Sequence, residues 1–158
     1  MQRSSPPLTI RLYDPADRAA CLQIFDSNVP RYFRDEERTA FCTFLDELPG
    51  PYFVLLEDHH TLVGCGGYAL RPEAGVADLC WGMVRQDRHG NGLGRALAEA
   101  RLEAIVKDPR ANAVALNTSQ HTVPFYERVG FRTINVLKDG YAPGLDRCDM
   151  RMELPRTA

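Results

Sequence analysis

Three glycines at alternate positions, Gly90, Gly92 and Gly94, mark the part of the sequence best suited to chemistry. They lie where a predicted strand ends and a predicted helix begins. Glycines with this spacing let the backbone curl tightly and direct several N–H groups at one point, which favours an anion. The following helix adds unpaired N–H groups and a partial positive charge, and Arg88 and Arg95 flank the turn. The pattern predicts a phosphate or pyrophosphate ligand.

Two common phosphate-binding loops do not fit this segment. A Walker loop ends in Gly-Lys followed by Ser or Thr, whereas this turn continues as Gly94-Arg95-Ala96. A dinucleotide-binding turn has the spacing Gly-x-Gly-x-x-Gly within an early strand–helix–strand unit, and both the third spacing and the position in the chain differ here. A tight turn with spare glycines and no ligand is the alternative that the pattern alone leaves open.

The turn resembles the CoA-binding signature of the GNAT family of N-acetyltransferases, in which Gln or Arg is followed by x-x-Gly-x-Gly or x-x-Gly-x-Ala. Gly92-Leu93-Gly94 and Leu97 match that signature, whereas the Gln or Arg position falls on His89. This departure leaves the anion to backbone groups and to Arg88. The resemblance implies acetyl-CoA as co-substrate, with contacts from Met83, Val84, His89, Gly90, Asn91, Gly92, Leu93, Gly94 and Arg95.

A second segment, Pro124-Phe125-Tyr126-Glu127-Arg128-Val129-Gly130-Phe131, resembles the late helix and following strand of the same family. The resemblance implies that the Tyr126 hydroxyl also contacts the cofactor and protonates the departing thiolate. It further implies contacts from Asn117 and Ser119 to the pantetheine arm of CoA. The alternatives are a Tyr126 that only packs, and an Asn117 and Ser119 that cap the helix beginning near Thr122.

The two signatures and the order of elements extend the resemblance over residues 8–154. It implies an α+β fold, with a central mixed, mostly antiparallel sheet flanked by helices, in a single domain spanning residues 1–158. The implied activity is acetyl transfer from acetyl-CoA to an amine of a small molecule or peptide by direct attack in a ternary complex. The rival hypothesis is a non-catalytic acyl-CoA-binding or regulatory module on the same fold.

This reaction requires donors for the thioester carbonyl and a base for the amine. In the family a backbone N–H at a strand bulge is the donor, which corresponds to residues 82–84 here. Asp78, near the start of the same strand, is the candidate base; a carboxylate with no catalytic role is the alternative. Cys80 alternates with Asp78 on one face, but a cysteine nucleophile would need an activating neighbour.

The acceptor amine is expected to meet two segments, residues 28–37 and the loop over residues 138–147. Their acidic residues favour a cationic amine, although a solvated acidic face would have the same composition. The identity of the amine, and whether the acyl group is longer than acetyl, are left open. The acidic residues are Asp35, Glu36, Glu37, Asp139 and Asp146.

These residues need a scaffold, which periodicity and turn residues predict. Asp14 and Pro15 indicate a helix start. Strands are predicted over residues 8–13, 52–57, 62–70, about 77–84, 113–116, 131–137 and 148–154. Helices are predicted from residue 14 through residue 25, over 35–48, about 93–107 and over 123–128.

Charge and composition argue against nucleic-acid-binding, membrane, secreted and metal-binding proteins. A net charge of −2 argues against a broad nucleic-acid surface. No apolar run reaches the ~20 residues of a membrane span, and no signal-peptide core follows the first seven residues, so a cytoplasmic location is predicted. The five cysteines include no Cys-x-x-Cys pair, and His59-His60 lies in a predicted turn, so no metal site is predicted. The expected partners are acetyl-CoA and an amine, with no nucleic acid or membrane, for a monomer or a homodimer.

Overall fold

The structure, a computed structural model, describes residues 6–155. The element order predicted from the sequence is confirmed, with short 3-10 turns preceding the first three helices. The strands are β1 (Leu8–Leu12), β2 (Tyr52–Glu57), β3 (Thr61–Arg71), β4 (Val76–Val84), β5 (Ala113–Thr118), β6 (Arg132–Ala142) and β7 (Leu145–Glu153). The helices are α1 (Arg18–Ser27), α2 (Arg38–Glu47), α3 (Leu93–Val106) and α4 (Val123–Val129).

The strands follow the order β1-β2-β3-β4-β5-β7-β6 in one mixed sheet. Strands β4 and β5 pair in parallel. The pairs β1–β2, β2–β3, β5–β7 and β6–β7 are antiparallel. The predicted α+β class with a mixed, mostly antiparallel sheet is therefore confirmed.

The chain divides into two compact units. The first comprises residues 6–67 and Trp81–Arg101, and the second comprises Tyr68–Cys80 and residues 102–155. Strands β3 and β4 and helix α3 each contribute residues to both units. The single domain predicted over residues 1–158 stays a prediction.

The first unit buries residues on both faces of its strands. On one face, Phe25 of α1 and Phe41 of α2 are fully buried against Tyr52 of β2. Trp81 packs on the same aromatic cluster, with its ring centroid 5.1 Å from that of Phe41. On the other face a smaller cluster includes Leu93 at the start of α3. The two clusters together hold the end of β4, through Trp81, Met83 and Val84, and the beginning of α3, through Leu93.

The entry to α1 shows how local sequence builds this unit. The Asp14 side chain accepts a hydrogen bond from the Ala16 N–H at 2.9 Å, and the Asp17 side chain accepts one from the Asp14 N–H at 2.9 Å. This reciprocal capping box satisfies donors that a helix start leaves unpaired. Pro15 occupies the first turn, as predicted, although that turn is a 3-10 turn leading into α1.

In the second unit, β5 is largely buried and β7 buries Cys148 and Met150, whereas β6 is exposed from Arg132 to Gly140 at the edge of the sheet. Phe131, just before β6, is buried, while Phe125 of α4 is only half-buried. Across residues 6–155, no helix combines the length and the apolar character that crossing a bilayer would require.

The prediction of a loop over residues 138–147 is wrong. Strands β6 and β7 extend through this segment and leave only a short turn. Two carboxylates explain the difference. Asp139 accepts a hydrogen bond from the Gly144 N–H at 2.7 Å, and Asp146 accepts one from the Asp139 N–H at 3.0 Å. Because these side chains satisfy the donors of the turn, the hairpin is ordered despite its loop-like composition.

Candidate functional site

The glycine turn lies between the end of β4 and the start of α3, in the first unit. Gly90 and Gly92 have φ angles of 81° and 78°, a conformation that glycine adopts far more easily than other residues. A Cβ at either position would have no other atom within 4 Å, so these glycines face open space. Gly94 differs, because it lies within the first turn of α3. The turn thus presents backbone, rather than side chains, to the surroundings.

The first helical hydrogen bond of α3 runs from the Ala96 N–H to the Gly92 carbonyl at 3.1 Å. The N–H groups of Leu93, Gly94 and Arg95 therefore precede the helical ladder, as at any helix start. Leu93 is buried and anchors this end of the helix. These backbone donors and the helix dipole give the turn the character of an anion site.

Two polar residues at the end of α1 hold the beginning of the turn. The Ser27 hydroxyl accepts a hydrogen bond from the Gln86 N–H at 3.1 Å. The buried Asn28 amide donates to the Val84 carbonyl at 3.0 Å. Sequence reasoning missed both roles, because Asn28 and Val84 lie far apart in the chain and nothing local links them.

His89, the departure from the family signature, has a structural partner. Its Nε2–H donates to the Val84 carbonyl at 2.7 Å, and its ring meets that of Tyr32 edge-on at 5.1 Å. Arg88 is also engaged, in a bidentate ion pair with Glu57, whose side chain is almost completely buried. The expected charge from Arg88 is therefore directed at Glu57, which leaves the anion mainly to backbone donors.

Two other side chains of the turn also have local partners. The Asn91 amide donates to the carbonyls of Arg88 and His89, at 3.0 Å and 3.2 Å. Arg95 forms an exposed pair with Glu99 at 2.8 Å, one helical turn away. Such exposed pairs are weak, so Arg95 can turn to another anion at little cost.

The strand before the turn has an irregular backbone at Trp81, whose φ of 44° is unusual for a residue with a side chain. The Tyr52 hydroxyl donates to the Trp81 carbonyl at 2.8 Å. The side chains of Met83 and Val84 are buried in the two clusters of the first unit. Contacts from these two residues to a ligand would therefore involve their backbone.

Asp78, the candidate base, lies on β4 within the second unit. Both of its carboxylate oxygens accept hydrogen bonds from Arg71, at 2.6 Å and 3.0 Å. Cys80 on the same strand donates its thiol to the Asp78 carbonyl at 3.3 Å. Each carboxylate oxygen keeps a second lone pair, so Asp78 can accept a proton from an amine while it pairs with Arg71.

Tyr126 lies in α4, also in the second unit, and is half-buried. Its ring is edge-on to Phe125 and Phe131, with centroids at 5.0 Å and 5.8 Å. The helix ends at Gly130, whose φ is 125°, and the Phe131 N–H donates to the Tyr126 carbonyl at 3.0 Å. Within residues 6–155 the Tyr126 hydroxyl has no hydrogen-bond partner. The ring is thus fixed while the hydroxyl remains available.

The two residues expected to contact pantetheine lie at the end of β5 and just after it, and both form hydrogen bonds within the protein. Asn117 is exposed, and its side-chain oxygen accepts a hydrogen bond from the Tyr141 hydroxyl. Ser119 is buried, and its hydroxyl accepts from the His121 N–H at 3.3 Å. Ser119 therefore contributes to the turn before α4, and Asn117 to the contact with the β6–β7 hairpin.

Gln120 completes this contact with the hairpin. Its amide nitrogen donates to the Gly144 carbonyl at 2.9 Å, and its oxygen accepts from the Asp146 N–H at 2.9 Å. In the other expected acceptor segment, Glu37 accepts from the Arg34 N–H at 2.9 Å. Several of the acidic side chains expected to attract a cationic amine thus also support local backbone structure.

The sequence matches the model of the acetyltransferase (GNAT) domain over residues 34–154. It is 27% identical to a protein from Desulfovibrio desulfuricans described as a GNAT-family acetyltransferase, with a TM-score of 0.80 over 93% of this chain and 99% of that chain. The ribosomal-protein-S18-alanine N-acetyltransferase of Escherichia coli is 18% identical, with a TM-score of 0.80 over 96% and 97%. A Salmonella typhimurium protein described as an acetyltransferase, with its cofactor acetyl-CoA, is 19% identical, with a TM-score of 0.73 over 96% of each chain. No curated protein matches the sequence.

Because the family model covers most of the chain, this protein belongs to the GNAT family of acetyltransferases. The family and the acyltransferase class predicted from the two signatures are confirmed. Acetyl-CoA is the co-substrate of GNAT enzymes, which agrees with the phosphate or pyrophosphate ligand predicted from the glycine turn. The two similarities below 20% identity support the fold.

Proposed function

We propose that this protein transfers an acetyl group from acetyl-CoA to an amine by direct attack in a ternary complex. The observation that carries the proposal is the open turn at Gly90 and Gly92 before α3. Its backbone N–H groups suit the diphosphate of CoA, because they are oriented before any ligand arrives. The side chains of Arg88 and His89 already have hydrogen-bond partners within the protein, which agrees with recognition of the diphosphate through the backbone.

In the proposed reaction the amine nitrogen attacks the thioester carbon. A C–N bond forms, the C–S bond breaks, and the thiolate leaves with the sulfur electron pair. Tyr126 supplies the proton to sulfur, supported by its available hydroxyl and fixed ring. Asp78 is the proposed acceptor of the amine proton, directly or through water, on a lone pair that the Arg71 hydrogen bonds leave free.

The cofactor contacts proposed for this chain are those predicted from the sequence. In the first unit they are Met83 and Val84, through their backbone, and the seven residues from His89 to Arg95. In the second unit they involve Asn117, Ser119 and Tyr126, of which Asn117 must share its oxygen with Tyr141. A cationic amine acceptor, the cytoplasmic location and a monomeric or homodimeric state stay predictions.

Calorimetry and thermal unfolding with acetyl-CoA test the proposal. At about a hundred times its dissociation constant, the ligand should raise the free energy of unfolding by roughly 2.7 kcal/mol. Acetyl-pantetheine, which has the thioester but lacks the diphosphate, is the matched control and should bind far more weakly. The central claim fails if acetyl-CoA neither binds nor raises the melting temperature.

A panel of amines, followed by release of free CoA thiol, separates the enzyme from a non-catalytic module. The panel should include a polyamine, an aminoglycoside and a peptide with a free N-terminus. Amine-dependent thiol release supports acetyl transfer, with the acetylated product confirmed by mass. Tight acetyl-CoA binding without turnover across the panel would favour the acyl-CoA-binding module.

A further inference from the structure

A buried tyrosine contacts the irregular peptide of β4. Tyr52 is 2% exposed, and its hydroxyl donates to the Trp81 carbonyl at 2.8 Å. The positive φ of Trp81 shows that the backbone departs from a regular strand at this point. A strand carbonyl ordinarily pairs with a neighbouring strand, whereas this one accepts a hydrogen bond from a side chain on β2. The hydrogen bond from Tyr52 is therefore made at the point where the backbone of β4 is irregular.

Gly67 of β3 leaves the space that the Tyr52 ring needs to reach the Trp81 carbonyl. It lies opposite Tyr52 in the β2–β3 ladder. A Cβ at Gly67 would lie 2.7 Å from Cδ1 of Tyr52 and 2.3 Å from the Pro51 carbonyl oxygen, so no other residue fits there. The Tyr52 ring is held further by edge-on contacts with Tyr13 and Phe44, at 5.8 Å and 5.2 Å. The position of the hydroxyl is thus fixed by packing.

The Trp81 carbonyl and the Gly82 N–H belong to the same peptide group. A hydrogen bond to the carbonyl polarises that group and makes its N–H a stronger donor. Burial raises the pKa of the Tyr52 phenol well above its usual value, so the hydroxyl stays protonated and continues to donate. Gly82 is the first residue of the segment, 82–84, expected to contact the thioester carbonyl.

A buried positive charge lies beside the same residue. Arg101 of α3 is 2% exposed, and its terminal nitrogens would lie 2.8 Å and 2.9 Å from a Cβ at Gly82. Within the described chain its Nε has no hydrogen-bond partner, and its NH1 reaches the Gly67 carbonyl only at 3.5 Å. An arginine with so few partners leaves much of its charge uncompensated, which favours negative charge nearby.

We propose that Tyr52 is a positioning residue for acetyl transfer: through the Trp81 carbonyl it orients and polarises the Gly82 N–H, which donates to the thioester oxygen of acetyl-CoA. This assignment rests on the proposed function. It narrows the expected donor from a three-residue segment to one N–H. As negative charge develops on the oxygen during amine attack, the Gly82 N–H stabilises it, with Arg101 adding positive charge behind the peptide.

Infrared spectroscopy of bound acetyl-CoA labelled with carbon-13 at the thioester carbonyl tests the proposal and needs no acceptor. The labelled carbonyl band should move to lower frequency on binding to the parent protein, because a hydrogen bond weakens the C=O bond. In Tyr52→Phe, part of that shift should be lost while the acetyl-CoA dissociation constant stays unchanged. With an active acceptor, single-turnover transfer should slow about tenfold, less than the loss of an oxyanion donor itself.

Tyr13→Phe is the matched control, since it removes a hydroxyl from the ring that packs edge-on against Tyr52. It should leave the carbonyl band unchanged. If Tyr52→Phe does not fold, 3-fluorotyrosine at position 52 supplies a more acidic hydroxyl and should move the band further down. An unshifted band in the parent complex, or identical bands in parent and Tyr52 variants, would overturn the proposal. Failure of the parent to bind acetyl-CoA would instead overturn the proposed function.

Discussion

The Nε2–H of His89 donates to the carbonyl of Val84 at 2.7 Å, which joins the middle of the glycine turn to the last residue of β4. The same carbonyl accepts from Asn28 at 3.0 Å. Two side chains thus hold the start of the turn, while Gly90 and Gly92 form its open part. Loss of one of these hydrogen bonds should therefore affect the turn less than a change in the glycine backbone.

Gly92→Val should raise the acetyl-CoA dissociation constant by tenfold or more. A branched residue at a φ of 78° carries a conformational penalty of about 1–3 kcal/mol, and relief of that strain distorts the donors. Calorimetry measures the change. Gly144→Val is the matched control, since Gly144 has a φ of 77° and also faces open space. It should lower stability similarly without affecting acetyl-CoA binding.

His89→Ala should weaken acetyl-CoA binding less than Gly92→Val, because backbone donors carry most of the proposed site. The comparison uses the same calorimetric titration. The reverse order, with binding destroyed in His89→Ala and retained in Gly92→Val, would contradict the interpretation of this turn.

Tyr126→Phe should slow single-turnover acetyl transfer by about a hundredfold to ten-thousandfold, the usual contribution of a general acid. The ring packing with Phe125 and Phe131 is kept, so the melting temperature and the acetyl-CoA dissociation constant should change little. Single-turnover rates avoid a limit set by product release. Equal rates in variant and parent would leave Tyr126 as a packing residue.

Asp78→Asn should lower the single-turnover rate by about a hundredfold if Asp78 takes the amine proton. Arg71→Met separates catalysis from structure, because it breaks the same ion pair and leaves the carboxylate in place. It should retain transfer, and each variant should lose at most about 1 kcal/mol of stability. Equal losses of rate in both variants would show that the pair acts structurally.

Asp17→Asn should lower the free energy of unfolding by about 1 kcal/mol at pH 7, as expected for a disrupted helix cap. Hydrogen bonds from Arg11 lower the pKa of Asp17 in the folded state. Its carboxylate therefore stabilises the fold above the unfolded pKa of about 3.9, and this contribution is lost as the pH falls through the folded pKa.

Urea unfolding at pH 7 and at pH 3 measures this effect, and the difference between parent and variant should shrink at the lower pH. Asp46→Asn is the control, because Asp46 also pairs with an arginine but is 62% exposed. It should change stability by less than about 0.5 kcal/mol at either pH. A constant difference for Asp17→Asn at both pH values would contradict the prediction.

Local patterns were sufficient for most of the scaffold. The capping box at Asp14 and Asp17 and the strand-to-helix change around the glycine turn depend on neighbouring residues. The β6–β7 hairpin was predicted wrongly as a long loop because aspartate and glycine, here Asp139, Gly140 and Gly144, are common in loops. Besides the hydrogen bonds of Asp139 and Asp146, the hairpin is held by Gln120, more than twenty residues earlier, which short-range patterns do not reveal.

The Tyr52–Trp81 contact was also beyond sequence reasoning. The resemblance implied a bulge near residues 82–84, but tryptophan favours regular strands, so the residue type did not indicate a positive φ at Trp81. A glycine within a strand is usually a sign of a weakened or bent strand. In the structure, Gly67 instead accommodates the tyrosine ring. Only the paired strands show why a glycine is required there.

The exposed edge strand β6 has a consequence for the behaviour of the protein in concentrated solution. Ile134, Val136 and Leu137 are each more than half exposed on the strand that ends the sheet within residues 6–155. Were two copies to pair antiparallel about Asn135, Arg132 of each would oppose Lys138 of the other. This repulsion discourages aggregation through the edge, and salt screens it, so low ionic strength favours a dispersed protein.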